Sequence, residues 1–386
     1  MKIAERAGIA PFYVMAVLKA ARERDAATGD VLHLEVGQPN TGAPGPALEA
    51  AGQALDTGRL DYTDALGSAE LRAAIAAHYD ARYGLAIDPA RVAVTTGASG
   101  ACVLAFLACF DVGDRVVVIR PGYPCYRHML SAFGCEVLDI GVGPSTAFRP
   151  TVELLDALGR EVSELSGLVL ASPSNPTGAT IGADELAAIA AWCAERGVRL
   201  VADEIYHGID AGEPTSTALS TGGEGVVVVN SFSKYFSMPG WRIGWLVLPD
   251  ELVDPVERLA QNLTVAPPTL AQAAALGALS AEARPELDRH VERYAHNRRL
   301  LAEGLAAAGF ADVAPADGAF YLWVDVSHVS RDSQDLCRRW LDELGLAVTP
   351  GIDFDPVDGH RFVRFSVAGA TEDVAEAVSR LATWTP

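Results

Sequence analysis

The sequence predicts an α/β protein with a large domain, in which a mostly parallel, seven-stranded sheet lies between helices, and a smaller α+β domain. Two observations predict this fold. Between residues 92 and 248, short runs rich in β-branched residues alternate with alanine-rich runs of helical composition, which is typical of a parallel sheet with crossover helices. The chain has 386 residues, a length that suits one large domain and a smaller one.

Seven runs in this middle part are predicted strands. Their bounds are 92–96, 115–120, 136–140, 167–171, 199–202, 226–230 and 243–248. Helices are predicted at 100–110 and 183–196, and the second ends before Gly197, a residue that favours helix termination. We therefore expect a large domain that spans residues 45–268.

The pattern changes after residue 268. The predicted elements are helices at 270–280 and 285–308, a strand at 319–326, a helix at 333–344, a strand at 362–367 and a helix at 372–383. The N-terminal segment, with a predicted helix at 14–24, is expected to pack onto them. Residues 1–44 and 269–386 are therefore the predicted small domain.

Composition argues against several function classes. A formal charge of −20 and a pI near 4.7 oppose binding to nucleic acid or to an anionic membrane. The six cysteines form no C-x-x-C pair, and we find no apolar run of the length of a signal peptide or a membrane span. The eight histidines form no cluster with metal-ligand spacing. We expect a soluble, cytoplasmic protein without a metal site.

Polar residues follow the predicted strands. The segments are 96–99, 122–123, 174–176, 203–206 and 231–234. Because ligands bind outside the carboxyl ends of the strands in an open parallel sheet, these five segments predict one binding site at one edge.

Lys234 is the most informative residue of these segments. It follows a run of four valines that is typical of a buried strand, and desolvation there favours the neutral amine that attacks a carbonyl. Ser231 and Ser233 precede it and Arg242 follows it, a grouping that suits a Schiff-base lysine beside a phosphate clamp. A lysine after a strand, taken alone, is more often a solvated loop charge.

The motifs together are much more specific than the lysine. Ser231-Phe232-Ser233-Lys234 is followed by Gly240-Trp241-Arg242-Ile243-Gly244, and Asn175-Pro176-Thr177-Gly178 and Asp203-Glu204-Ile205-Tyr206 precede it. With these motifs the chain resembles the class I pyridoxal-5′-phosphate aminotransferases of fold type I, the family of the aspartate and aromatic aminotransferases. The resemblance runs from Gly37 to Arg364. It implies pyridoxal 5′-phosphate as cofactor, an L-amino acid and a 2-oxo acid as substrates, and a homodimer.

The resemblance also implies roles for residues around the cofactor ring. Lys234 matches the lysine that bonds to the cofactor aldehyde and later moves a proton at the substrate α-carbon. Asp203 matches the partner of the pyridine nitrogen, although it could instead cap a helix. Asn175 and Tyr206 match the groups that hydrogen-bond the phenolic oxygen. The sequence Asn175-Pro176-Thr177-Gly178 is also typical of a turn, which is the alternative interpretation. Tyr123 matches the aromatic residue stacked on the ring; core packing is its alternative.

A further group of residues matches the phosphate ligands of the family. Backbone amides at a helix N-terminus after a strand bind anions, and Arg242 can add charge-assisted bonds. The implied phosphate ligands are Ala98, Ser99, Ser231, Ser233 and Arg242. Tyr62 matches a tyrosine that reaches the phosphate of the neighbouring subunit, which would make each site shared; a surface aromatic is the alternative.

The substrate site is implied by three residues. Arg364, in the sequence Arg361-Phe362-Val363-Arg364-Phe365-Ser366, matches the arginine that binds the substrate α-carboxylate in a bidentate pair. Arg361 competes by position, but the R-x-S ending favours Arg364. Asn175 and the backbone of Gly37 are expected to line the same pocket.

The devices that bind a side-chain carboxylate in relatives are missing from the sequence. Residues 261–268, where dicarboxylate-specific members place a second arginine, contain no cation, and Ser99 stands where some bacterial relatives have a lysine. Because a carboxylate without a cation is penalised in a dry pocket, we expect a neutral or aromatic donor, or broad specificity. The resemblance implies 2-oxoglutarate or pyruvate as acceptor.

Two other function classes share these residues. Carbon–sulfur β-lyases, decarboxylases and cyclopropane-forming synthases use the same cofactor site, and pocket details decide the fate of the α-carbanion. Transcription regulators that fuse this fold to a DNA-binding domain would carry a basic helix-turn-helix segment before residue 40, which this sequence lacks.

Overall fold

The computed structural model describes residues 1–162, 164–223 and 225–385. The strands are β1 (Leu32–His33), β2 (Val92–Thr95), β3 (Arg115–Arg120), β4 (Glu136–Gly141), β5 (Leu165–Ala171), β6 (Arg199–Asp203), β7 (Val226–Ser231), β8 (Gly244–Val247), β9 (Tyr321–Asp325), β10 (Leu346–Ala347), β11 (Thr349–Pro350) and β12 (Phe362–Ser366). The helices are α1 (Tyr13–Thr28), α2 (Gly45–Asp56), α3 (Ala69–Tyr83), α4 (Gly97–Cys109), α5 (Pro124–Phe133), α6 (Val152–Glu161), α7 (Ala183–Arg196), α8 (Asp250–Leu263), α9 (Thr269–Ala278), α10 (Arg284–Ala307), α11 (Ser333–Leu344) and α12 (Thr371–Thr383).

The large sheet has seven strands in the order β2-β8-β7-β6-β5-β3-β4. Its neighbours pair in parallel except at β8, which is antiparallel to both β2 and β7. The predicted α/β class with a mostly parallel seven-stranded sheet is confirmed. The connection from β7 to β8, residues 232–243, contains the short 3-10 helix Pro239–Trp241 and no crossover α-helix, which agrees with the antiparallel pairing of the two strands.

The valine run of β7 shows why this sheet forms. Val226 and Val228 face one hydrophobic cluster, whereas Val227 and Val229 face another cluster on the opposite side. All four are at most 4% exposed. Because both faces are covered, the strand is continuously apolar instead of alternating, and full burial of each valine contributes about 1.5–3 kcal/mol.

Two smaller sheets lie in the rest of the chain. Strands β11, β12 and β9 form an antiparallel sheet in that order, and β1 pairs with β10 in parallel. A third hydrophobic cluster joins this sheet to α10, α11 and α12. On α1, Ala21 packs against Leu341 and Ala347, so the N-terminal helix contacts this part of the chain.

The predicted element bounds differ from the structure mostly at the ends. The predicted strand at 319–326 begins only at Tyr321, because Ala319 has φ +57°, in the left-handed region that strands exclude. The predicted helix at 14–24 continues to Thr28 and ends at Gly29, which has φ +66°. Helices that the sequence pattern did not single out are α2, α3, α5, α6 and α8. Within the described ranges, none of the helices combines the length and the apolar character needed to cross a bilayer.

Candidate active site

A cavity of about 700 Å³ opens at the edge of the large sheet where β5, β6 and β7 end. Most of the residues predicted from the sequence lie in its wall. The predicted residues that line it are Gly37, Ala98, Ser99, Tyr123, Asn175, Asp203, Tyr206, Ser233, Lys234, Arg242 and Arg364. Ser231 and Tyr62 lie outside this wall.

Lys234 lies in the connection between β7 and β8, three residues after the end of β7. Its Nζ donates to the carbonyl oxygen of Gly37 at 2.5 Å. Enclosure by protein lowers the pKa of Lys234 to about 8, helped by the positive charges of Arg364 and Arg242 and opposed by Asp203. About one tenth of this amine is therefore neutral and nucleophilic at pH 7, far more than for an ordinary lysine.

Asp203 is the last residue of β6 and is buried. Its Oδ2 accepts a hydrogen bond of 2.5 Å from the hydroxyl of Tyr126, and its Oδ1 accepts one of 3.0 Å from the amide of Ile205. Burial raises the pKa of Asp203 to about 6, although both hydrogen bonds and Lys234 act in the opposite direction. Asp203 therefore caps the turn after β6 through its bond to Ile205 and also lines the cavity. The sequence had offered capping and a cofactor contact as alternatives.

Arg364 projects from β12 into the cavity and is 3% exposed. Its Nη1 donates to Oδ1 of Asn175 at 2.9 Å, and its Nη2 donates to the carbonyl of Glu35 at 2.6 Å. The guanidinium carbon lies 4.4 Å from the ring centroid of Tyr321 and 4.7 Å from that of Phe354. Among the described residues, the buried Nε of Arg364 has no hydrogen-bond partner.

Arg361, the alternative to Arg364 in the sequence, lies elsewhere. It is exposed and its Nη2 donates to Oδ2 of Asp325 at 2.7 Å. The short 3-10 helix Gly359–Arg361 ends just before β12, so Arg361 lies outside the strand that carries Arg364.

The N-terminus of α4 forms an anion-binding corner. Gly97 has φ +71°, and a Cβ at this position would lie 2.6 Å from Nη2 of Arg242, so glycine lets the guanidinium approach the helix terminus. The first amides of an α-helix have no partner within the helix, and Ala98 and Ser99 belong to this first turn. Ser233 lines the same cavity. The corner thus joins a guanidinium, helix amides and hydroxyls.

Ser231 and Tyr62 have different surroundings from the other predicted residues. The buried Ser231 hydroxyl donates to the carbonyl of Ile243 at 3.0 Å and lies 2.8 Å from the hydroxyl of Ser233, so it is one layer behind the cavity wall. The Tyr62 side chain is 84% exposed and does not line the cavity of its own chain.

Two tyrosines of the site were missed in the sequence. Tyr126 contacts Asp203, and its signal was Pro124, a residue that favours the first turn of a helix and so places residue 126 one turn after Tyr123. Tyr321 contacts Tyr206 and Arg364. Tyr321 lies two residues from Trp323, which pairs with Arg364, so Tyr321 and Arg364 lie on the same face of the sheet. The sequence could have indicated this contact only through the pairing register of β9 and β12.

A third missed feature is the wall opposite the sheet edge. We call Phe12, Val14, Met15 and Leu18, which precede or belong to the first turns of α1 and line the cavity, the α1 wall. Met129, from α5, adds another apolar side chain. The sequence predicted a helix here but carried no signal for what it covers.

Glu204 and His207 are buried and lie outside the cavity wall. Both oxygens of Glu204 accept from the Thr217 hydroxyl at 2.9 Å, and burial raises the pKa of Glu204 to about 8. Nε2 of His207 lies 2.9 Å from the carbonyl of Ser172, and burial lowers the pKa of His207 to about 3. The contact of His207 with Ser172 supports the segment after β5 that carries Asn175, whereas Glu204 holds the segment around Thr217. Over the described parts of the chain, His, Cys, Asp and Glu side chains form no group that could hold a metal ion.

Comparisons with known proteins agree with this geometry. The model of the family described as aminotransferase class I and II matches residues 29–381. The valine–pyruvate aminotransferase of Mycobacterium tuberculosis is 49% identical over 386 residues, which cover 100% of this chain and 99% of the relative.

Solved structures give the same result. A crystal structure of an aminotransferase from Mycobacterium tuberculosis is 50% identical, with a TM-score of 0.96 over 100% of this chain and 99% of that one. The aspartate aminotransferase of Thermus thermophilus with maleate is 32% identical, with a TM-score of 0.93 over 99% of both chains. The resemblance and fold type I are confirmed: the chain belongs to the class I and II aminotransferases.

Proposed function

We propose that this aminotransferase binds pyridoxal 5′-phosphate in the cavity and transfers the amino group of a neutral L-amino acid to a small 2-oxo acid. The observation that carries the proposal is the convergence of Lys234, Asp203 and Arg364 on one cavity from three different strands or strand ends. Each supplies a distinct requirement of amino transfer: an amine, a buried carboxylate and a carboxylate-binding cation.

The described residues fit this cofactor. The corner formed by Gly97, Ala98, Ser99 and Arg242 suits a phosphate, because it combines helix amides with a guanidinium that a Cβ at residue 97 would displace. We propose that Ser233 adds a hydroxyl and that Ser231 acts from behind it, through the contact between the two hydroxyls. These groups would hold the phosphate at the end of the cavity near β7.

The remaining ring contacts follow from the same placement. We propose that Tyr123 covers one face of the pyridine ring and that Asn175 and Tyr206 hydrogen-bond its phenolic oxygen; all three line the cavity. Asp203 would hold the proton of the pyridine nitrogen. Its buried carboxylate has Tyr126 and Ile205 as donors but lies in surroundings that favour a cationic partner.

When bound, the cofactor supplies an electron sink that makes the substrate α-proton acidic. Lys234 anchors the cofactor through its neutral amine and then carries the proton from the substrate α-carbon. The lowered pKa of Lys234, about 8, suits both roles, because the amine can accept and return a proton close to neutral pH. Tyr206 and Asn175 orient the ring while the proton moves.

Arg364 is proposed to bind the substrate α-carboxylate, with the backbone of Gly37 on the same side. The stacking of its guanidinium with Tyr321 and Phe354 fixes the plane in which a bidentate pair forms. Its contact with Asn175 ties the carboxylate site to the cofactor site. The bound amino acid is thereby oriented with its α-carbon toward Lys234.

The side chain of the donor would lie against the α1 wall. Among the described residues that line the cavity, the cations are Lys234, Arg242 and Arg364, and each already has a proposed role. A donor with a second carboxylate would therefore leave a desolvated charge without a partner from this chain. Aliphatic or aromatic donors are the better fit, and the name of the valine–pyruvate aminotransferase relative supports valine as the first donor to test.

The same reasoning applies to the acceptor. Both pyruvate and 2-oxoglutarate remain candidates, but the second carboxylate of 2-oxoglutarate meets the apolar α1 wall. Pyruvate avoids that cost and is named for the same relative. We therefore propose pyruvate as the preferred acceptor.

We also propose a homodimer with shared sites. The 84% exposure of Tyr62, together with exposed Leu48, Leu263 and Val265, supports an interface between subunits. For the domain division, the sequence led us to propose a large domain of residues 45–268 and a small domain of residues 1–44 with 269–386, and we propose to move one boundary. The packing of α9 against α2 favours a second boundary after Ala278 instead of before Thr269.

The half-reaction tests the proposed chemistry. Mixing the holoenzyme with L-valine alone should change the cofactor absorbance once and yield one equivalent of 2-oxo acid for each site, and pyruvate should restore the original spectrum. A β-lyase would instead release ammonia continuously from a cysteine-type substrate without any added 2-oxo acid. Continuous turnover of that kind would replace amino transfer as the main activity.

A donor panel tests the proposed specificity. With pyruvate fixed, kcat/KM for L-valine, L-leucine and L-phenylalanine should exceed kcat/KM for L-aspartate by about 10-fold or more, because an unpaired carboxylate is costly in the cavity. Preference for L-aspartate by a similar factor would overturn the assignment of a neutral donor while leaving the amino-transfer chemistry intact.

A further inference from the structure

Tyr321 contacts two residues of the proposed site, and only its stacking with Arg364 has been given a role so far. Its hydroxyl lies 2.8 Å from the hydroxyl of Tyr206, and its ring lies 4.4 Å from the guanidinium carbon of Arg364. It is 1% exposed and is held on β9, whose register with β12 is regular over five residue pairs. One side chain therefore bridges the proposed carboxylate site and a proposed ligand of the cofactor oxygen.

Close packing fixes the hydroxyl of Tyr321 in place. A Cβ added at Gly37 would overlap with this hydroxyl. The segment after β1 therefore requires glycine at residue 37 for the Tyr321 side chain to fit. The carbonyl of the same Gly37 accepts the hydrogen bond from Lys234. The tyrosine hydroxyl thus lies within the group formed by Gly37, Lys234 and Tyr206.

The chemistry of the two hydroxyls gives the hydrogen bond a direction. A hydroxyl has one proton, so if Tyr206 donates to the ionised cofactor oxygen, its own oxygen is left to accept. Tyr321 is then the donor in the 2.8 Å contact. Burial raises the pKa of Tyr321, and the positive charge of Arg364 opposes this effect in part, so the hydroxyl keeps its proton and is a better donor than burial alone would allow.

We propose that Tyr321 is a positioning residue that donates to Tyr206 and thereby links Arg364 to the hydrogen bond at the cofactor oxygen. This inference rests on the proposed binding of pyridoxal 5′-phosphate. Hydrogen bonds in a chain polarise one another, so the bond from Tyr321 strengthens the donation by Tyr206. Tyr321 acts through Tyr206 and makes no contact with the reacting atoms in this account.

The charged and titratable groups around the two tyrosines define what a pH measurement will report. Arg364 on β12 faces Tyr321, whereas Asp203 at the end of β6 and Lys234 after β7 face Tyr206. A Tyr321→Phe substitution leaves all of these groups and the ring contacts in place. It removes the hydroxyl alone, so the variant retains the packing of the core.

The test is a pH titration of the visible absorbance of the holoenzyme without substrate. A hydrogen-bond donor withdraws electron density from the cofactor oxygen. The oxygen then attracts the proton on the neighbouring nitrogen of Lys234 less strongly, so this proton leaves at lower pH. A weaker donor therefore moves the midpoint of the titration to higher pH. Tyr321→Phe should raise the midpoint by about 0.1 to 0.3 pH unit, because a hydrogen bond in a chain strengthens its neighbour by roughly 10–30% and one whole neutral hydrogen bond corresponds to about half to one pH unit. Tyr294→Phe is the matched control: among the described residues its buried hydroxyl has no hydrogen-bond partner, and the midpoint should not move.

A double-mutant cycle separates a relay from a general effect. Tyr206→Phe should raise the midpoint by more than Tyr321→Phe, and adding Tyr321→Phe to Tyr206→Phe should cause no further shift. An unchanged midpoint in Tyr321→Phe, an equal shift in Tyr294→Phe, or additive shifts in the double variant would each overturn the inference. These outcomes differ from failure of the proposed function, in which the wild-type protein would show no cofactor absorbance to titrate.

Discussion

The strand-end edge of the large sheet and the α1 wall enclose the same cavity but are held in place differently. At the edge, Asp203 is the last residue of β6 and Asn175 follows β5, and both strands are fixed by ladders of backbone hydrogen bonds on both sides. The α1 wall is anchored at its helix terminus, where the amides of Tyr13 and Val14 donate to the Asp353 carboxylate at 3.0 and 2.9 Å. The edge is polar and rigid, whereas the wall is apolar and partly exposed.

This difference suggests a division of labour. Polar groups that handle the α-carbon must be placed accurately, and the ends of strands in a sheet provide that accuracy. The side chain of the substrate needs a surface of suitable polarity, which a single helix can supply. In our account the edge therefore sets the reaction and the α1 wall sets the choice of amino acid.

The largest expected effect comes from the edge. Asp203→Asn keeps the shape and the acceptor for Ile205 but removes the buried negative charge that would hold the proton of the pyridine nitrogen. We expect kcat for valine–pyruvate transfer to fall about 10³-fold, the scale of losing a major electrostatic contact in the transition state. Steady-state kinetics with saturating cofactor measure this, with the exposed Asp184→Asn as control; a loss below tenfold would contradict the role of Asp203.

The carboxylate site should give the next largest effect. Arg364→Lys replaces a planar, stacked guanidinium by a point charge that cannot form a bidentate pair. We expect KM for every amino donor to rise about 10- to 100-fold, because one charge-assisted hydrogen bond is lost. Arg361→Lys, which changes an exposed arginine outside the cavity, is the matched control and should leave KM unchanged.

The α1 wall should change selectivity more than rate. Leu18→Arg adds a cation to the apolar wall and should raise the ratio of kcat/KM for L-aspartate over L-valine about 10- to 100-fold, through a new charge-assisted contact. Ala20→Arg places the same charge on an exposed position of α1 that does not line the cavity. Equal changes in the two variants would show that the wall does not select the donor.

The smallest effect is on the free energy of unfolding. It compares an enclosed lysine at the strand-end edge with an exposed lysine on α1. In the cofactor-free protein, the pKa of Lys234 is about 8, below its ordinary value of 10.5, so the folded state binds fewer protons than the unfolded state between these values. Below pH 8 the enclosed charge is destabilising, and this cost is relieved as the pH rises from 8 to 10.5. Lys234→Met should therefore raise the free energy of unfolding by about 2 kcal/mol at pH 7, with the gain shrinking toward pH 10.5.

Urea unfolding at several pH values measures that difference. The exposed Lys19→Met is the matched control, because Lys19 is 78% exposed and forms only a surface ion pair with Glu23. A pH-independent difference between Lys234→Met and the wild type would contradict the lowered pKa of Lys234.

The same two regions show what a sequence can predict. The edge was predictable because strand, turn and polar residue follow one another in the chain, so that a motif such as that around Lys234 carries its own position in the sheet. The antiparallel direction of β8 was not visible, since a strand has the same apolar pattern in either direction.

Contacts between distant segments were the part that local patterns could not supply. Tyr321 meets Tyr206 across 115 positions of sequence, and Asp353 meets Tyr13 across 340. No periodicity encodes such pairs, because they depend on how separately formed elements pack. For the same reason the α1 wall was predicted as a helix but not as part of the cavity.

The covalent anchor is the central claim, and the chain allows a direct measurement of it. The sequence contains three lysines, Lys2, Lys19 and Lys234. The holoenzyme would be reduced with borohydride, digested and mapped by mass spectrometry. We predict cofactor mass on the peptide that contains Lys234 and none in Lys234→Ala, which should also lose amino transfer; label on Lys2 or Lys19, or retained turnover in Lys234→Ala, would contradict the account.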